Sequence, residues 1–132
     1  MANATQFSID LEREFVEEVE DKLTLVLQKI AMETLSRVVL RTPVDSGRAR
    51  GSWVVSLESP TDEVPAGVDP GGAATINRGS SIITGLHEPK VTYVQSNLPY
   101  INRLENGWSG QAPNGMVAVT VAEIETMFAR ID

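Results

Sequence analysis

The sequence predicts an α+β fold: a long N-terminal helix, a small, mainly antiparallel sheet, short helices and a C-terminal helix. Three observations predict it. An apolar stripe at helical spacing runs unbroken by Gly or Pro through residues 8–40. Two short stretches rich in β-branched and aromatic residues follow, and a second helical stripe closes the chain. At 132 residues the chain fits one domain, with the helix at 8–40 and an α+β body at 44–132.

In the first element, Leu11, Phe15, Val19, Leu23, Val26, Ile30, Leu35 and Val38 recur in steps of three to five, which keeps them on one side of a helix. Acids crowd its first half, and Arg37 and Arg41 close it, complementing the helix dipole. Thr42-Pro43 stops it, because the residue before proline is pushed out of the α region. Such a helix is roughly 50 Å long, more than a body with a radius of gyration near ~13–14 Å can cover. Part of its apolar stripe is therefore expected to be buried on another subunit.

Asp45, Ser46 and Gly47 form a turn. Residues 52–57 (SWVVSL) read as a strand. Residues 59–72 are rich in Pro, Gly and acids, and read as a loop expected to be mobile in a free subunit. Asp69-Pro70 has the form of a cap followed by proline at the first helical position, with Gly85 as a C-terminal cap, which predicts a helix over 70–84; Gly71, Gly72 and Gly79 weaken it. Residues 90–95 alternate as a second strand, and 99–106 read as a short helix ended by Gly107. In the last segment Val117, Val121, Ile124, Phe128 and Ile131 step by four and three. The β-branched content of 116–121 argues for strand, but the longer periodicity decides for helix.

The chain has no Cys, which excludes disulfides and thiolate metal sites and suits a reducing compartment. No apolar run reaches the ~18 residues that span a bilayer, and residues 1–5 lack the basic and apolar regions of a signal peptide, so no membrane association and synthesis in the cytoplasm are expected. A net charge of −7 argues against tight duplex binding. The charge is uneven. Residues 1–36 hold eight acids and three bases, while 37–50 hold four bases and one acid, a dipolar layout that suits packing against copies or partners and equally reads as a solvated helix face followed by a basic turn.

Candidate chemistry is sparse, and no enzymatic activity, cofactor or metal is expected. The single histidine, His87, lies in a loop with no nucleophile pattern near it. The acids from Glu14 to Asp21 lack the spacing of a calcium loop and read as a solvated face. Gly71-Gly72 and Gly79 lack the Lys of a phosphate loop. Trp53 reads as core; for Trp108 both an interface and a core role stay open.

Two constellations stand out: RTPVDSGRARGSW at 41–53 and NLPYINRLENG at 97–107, followed by QAPNGMV at 111–117. In order and spacing the three resemble the tail-completion or neck proteins of siphophages, the group that includes minor tail protein Z of lambdoid phages. The likeness runs along essentially the whole chain; Ala49 stands where Leu is common. The resemblance implies a structural virion protein, made and assembled in the host cytoplasm and present as a ring of six copies. Such a ring would complete the tail and join it to the connector, touching a tail-terminator or tail-tube protein. A tail terminator or a head-side adaptor is the alternative within the same neck. A different class is a DNA-contacting protein using Arg37, Arg41, Arg48 and Arg50 in the channel. The residues expected at the subunit or partner interface are Arg41, Asp45, Arg48, Arg50, Tyr100, Arg103, Glu105 and Trp108. Because a carboxylate near a helix C-terminus opposes the dipole, Glu105 is expected to pair with an arginine, Arg41 first, within the subunit or across the ring.

Overall fold

A computed structural model describes residues 4–44 and 47–129, and side chains at 16–44 and 47–129. Helix α1 (Ala4–Arg41) is followed by a 3₁₀ turn (Arg50–Ser52), β1 (Trp53–Leu57), α2 (Ala73–Ile83), β2 (Thr92–Ser96), α3 (Ile101–Glu105) and α4 (Val117–Met127). The α+β class stands, with a two-stranded antiparallel sheet in which Trp53 faces Ser96, Val55 faces Val94 and Leu57 faces Thr92. The last segment is helical as far as Met127, so periodicity outweighs the β-branched content there. Asp45, Ser46 and Ile131 lie outside the described residues, as do the side chains of Leu11 and Phe15.

The core is one cluster: Ala31, Leu35, Val38 and Val39 of α1, Trp53 and Val55 of β1, Ile83 of α2, and Ala112 and Met116. Met32, Ile76, Val94, Ile101 and Leu104 pack around it. Trp53 is core, as its strand context indicates, and its indole N–H donates to the Thr42 hydroxyl at 2.8 Å. That hydroxyl donates in turn to the Val38 carbonyl at 2.6 Å. The Thr-Pro stop of α1 and the buried tryptophan are therefore one hydrogen-bonded unit.

Gly79 counts against a helix by propensity, yet it sits inside α2 where α2 crosses α1 and β1. A Cβ there would lie 2.4 Å from Leu35 Cδ2 and 2.9 Å from Val55 Cγ2. The close approach is what requires glycine. Asp69 does cap α2, but from further back than expected: its carboxylate accepts the N–H and hydroxyl of Thr75, each at 2.7 Å, and the helix starts at Ala73 rather than Pro70. Gly85 follows α2 without the left-handed φ of a glycine cap. The loop at 59–72 does not hang free. Gln95 exchanges two hydrogen bonds with the Thr61 backbone, Asn97 donates to the carbonyls of Thr61 and Glu63, and the Asp69 N–H donates to Gly47.

The stripe along α1 divides into two faces. Thr24, Ala31, Leu35, Val38 and Val39 are buried against the body. Val16, Val19 and Leu23 lie about a third of a turn away and are exposed, Leu23 by 53%. Among the described side chains of α1, the one nearest the N-terminus with a hydrogen bond to the body is Gln28, which donates to the carbonyls of Ile83 and Leu86 at the end of α2. With 38 residues the helix is about 57 Å long, and its part before Thr24 extends roughly 30 Å beyond the last buried position.

Candidate assembly surface

The three sequence constellations are tied to one another by hydrogen bonds, and three of their charged groups, Arg41, Arg50 and Glu105, act as braces. Arg50 donates to the carbonyls of Leu40 (2.8 Å), Thr42 (3.1 Å) and Pro70 (3.0 Å), so its guanidinium serves the orphan carbonyls at the end of α1. Gly47, at φ +83°, turns the chain so that its carbonyl accepts the N–H of both Gly51 and Asp69; a Cβ there would meet the Pro70 ring. The Val44 N–H donates to the Gln111 side chain at 2.9 Å, which ties the first constellation to the third.

Glu105 links the second and third. Its carboxylate accepts the backbone N–H groups of Met116 and Val117, each at 2.8 Å, and of Ala118 at 3.0 Å. These are orphan donors of the first turn of α4. Burial acts to raise the Glu105 pKa, but the three N–H donors outweigh it and hold the carboxyl below its ordinary value. The expected pairing of Glu105 with Arg41 is therefore overturned within the subunit. A carboxylate that opposes the dipole of α3 does need a positive partner, and the N-terminus of α4 is that partner. Gly107 closes α3 in a left-handed turn, with Gly107 N–H to Leu104 and Trp108 N–H to Arg103. A Cβ on Gly115 would lie 2.4 Å from the Glu105 carbonyl, so the loop can fold back on α3 only with glycine there.

Arg41 and Arg37 instead grip Glu123 of α4 from α1, and Arg37 also pairs with Glu33 at 3.1 Å. Glu123 carried no sequence signal, since a long-range ion pair leaves none. The same holds for Thr120, fully buried in the α1–α4 seam. The apolar stripe of α4 is not its core face: Val117 and Val121 are exposed, and Ile124 and Phe128 are half-buried. An open groove of about 720 Å³ runs beside them, lined by Ala118, Val119, Ala122, Thr126 and Met127 with Arg37, Asn114 and Glu123.

The eight expected interface residues thus separate. Arg41, Arg50 and Glu105 are internal braces, and Asp45 is outside the described residues. Arg48, Tyr100, Arg103 and Trp108 are exposed, Trp108 by 73%. The Arg103 guanidinium lies over the Trp108 ring, 5.2 Å from its centroid. His87 is exposed in a loop. Among the described residues no group of His, Asp and Glu is placed to hold a metal ion, and no helix is long and apolar enough to cross a membrane.

Comparison with protein-family models, with curated proteins and with solved structures found no match to this chain.

Proposed function

We propose that the chain is a structural subunit of a tailed-phage virion, acting at the head–tail junction as a member of a ring that completes the tail and joins it to the connector. The observation that carries this reading is the overhang of α1. A helix that extends roughly 30 Å past its own body and keeps Val16, Val19 and Leu23 in water is a helix made to be covered by another chain. The three segments that resemble the tail-completion proteins support it as well. They are the segments interlocked through Thr42–Trp53, Val44–Gln111 and Glu105–α4, so they build one rigid end to which the helix is fixed.

The DNA-contacting alternative loses support from the same geometry. Arg37 and Arg41 are paired with Glu123, Arg37 also with Glu33, and Arg50 is spent on carbonyls, so three of the four arginines have their donors engaged within the chain. A phage carrying a nonsense codon in the coding sequence tests the proposal. The expected result is filled heads and free tails that do not join, restored by supplying the chain in trans. Normal yields of infectious particles without the chain would overturn it.

A further inference from the structure

We infer that the Tyr100–Arg103–Trp108 platform is the seat for the overhanging part of α1 of a second copy, so that the ring closes head to tail through these two patches. The inference rests on the ring reading above and assigns its interface. Tyr100 precedes α3 directly and Arg103 lies within it, and the left-handed turn at Gly107 folds Trp108 back beneath the Arg103 guanidinium. An exposed indole therefore lies against a cation that has no carboxylate within ion-pair distance among the described residues, and a second exposed aromatic residue, Tyr100, stands one helical turn before it. Tyr, Trp and Arg are the residue types that dominate interface energetics, and a tryptophan 73% exposed on a small chain is surface of that kind.

The overhang offers the complement. Val16, Val19 and Leu23 stand at i, i+3 and i+7, one face over two turns. Glu20 borders that face and has no cation within ion-pair distance among the described residues, and Glu17 and Asp21 lie further round. An apolar stripe edged by a carboxylate matches an exposed indole that holds a guanidinium, in both hydropathy and charge. The two patches cannot meet within one chain. Gln111, three residues after Trp108, binds Val44 just past the C-terminal end of α1, and an unbroken helix of about 30 Å separates Leu23 from that end. Two different patches on one chain, held apart and complementary, define a heterologous contact, which closes into a ring when the rotation allows. Copies are thus the occupant that the charge pattern fits.

Because the chain has no cysteine, engineered thiols are unique reporters. The full chain carrying Leu23→Cys and Gly110→Cys, the latter an open position two residues from Trp108 that leaves the platform intact, should, when treated with a short bis-maleimide, give a covalent ladder ending in a closed ring, while each single substitution stays monomeric on a denaturing gel. Trp108→Ala should weaken self-association roughly thirtyfold with an unchanged far-UV circular dichroism spectrum. Glu20→Arg should lose assembly and regain it when combined with Arg103→Glu. Covalent dimers from Leu23→Cys alone would overturn the assignment, since α1 would then pair with itself. A ladder from Leu23→Cys with Ala122→Cys in place of Gly110→Cys would also overturn it, putting the overhang in the α4 groove and leaving the ring intact. Cross-links in particles that join Leu23→Cys only to a different virion protein would overturn the second copy as occupant. A chain that neither self-associates nor enters particles would sink both this inference and the ring.

Discussion

Replacing Glu105 by Ala removes the acceptor for three N–H groups at the start of α4. Loss of a helix cap costs about 0.5–2 kcal/mol, and loss of a charge favourable to the dipole adds about 0.3–1 kcal/mol. Val117 and Ala118 are exposed, so water takes over part of their bonding; Met116 is buried and its N–H is not so easily rehydrated. The sum is a destabilisation of about 2 kcal/mol, read as a lower urea midpoint at unchanged slope. Glu105→Gln keeps the shape and one acceptor oxygen but turns an NH₂ donor toward an N–H, and should cost about half as much. The comparison that matters is a pair of double-mutant cycles. Arg41→Ala with Glu105→Ala should be additive, whereas Arg41→Ala with Glu123→Ala should show coupling of about 0.5–1 kcal/mol. Full stability of Glu105→Ala, or coupling between residues 41 and 105 in the monomer, would refute the capping argument.

Acid should unfold the protein through the same group and one other. The three N–H donors hold Glu105 low against burial, and the Thr75 hydroxyl, then the Thr75 and Gly72 N–H groups, hold Asp69 low. Both carboxyls bind protons more readily when unfolded. Their contribution is therefore complete above the unfolded values near pH ~4–4.5 and is lost as pH falls through the folded ones; a pH titration of Glu105→Gln should show a shallower loss below about pH 5. Gly79→Ala should cost about 1–3 kcal/mol by overpacking against Leu35 and Val55, although Ala is the better helix former; a rise in thermal midpoint would contradict the close approach. Hydrogen exchange on the free chain should find the amides of Thr61 and Asp69 protected while those of Asp62 and Gly67 exchange freely; uniform fast exchange across 59–72 would contradict the tethering.

What the sequence made legible was local. The Thr42-Pro43 stop, the strand around Trp53, the cap on α2 and the glycine end of α3 each follow from one or two residues acting on their own backbone. The α1 stripe was legible as a helix but not as two faces, because steps of three to five let one list of apolar residues cover both. The role of Gly79 was hidden, since propensity sees the absent side chain and not the Leu35 that occupies its space. Glu105 shows the boundary most clearly. Its need for a positive partner could be read from its place at a helix end, but the partner depends on a ten-residue return that brings the first turn of α4 against it. Arg41 went to Glu123 for the same reason: chain topology, not residue type, selects among charges.

A reconstruction of the virion neck puts the whole reading to the test in one map. The expected map shows this chain as a closed ring between connector and tail tube, each Trp108 covered by the overhanging α1 of the adjacent copy. A neck with no density for the chain, or a single unringed copy with Val16, Val19 and Leu23 still in solvent, would contradict it.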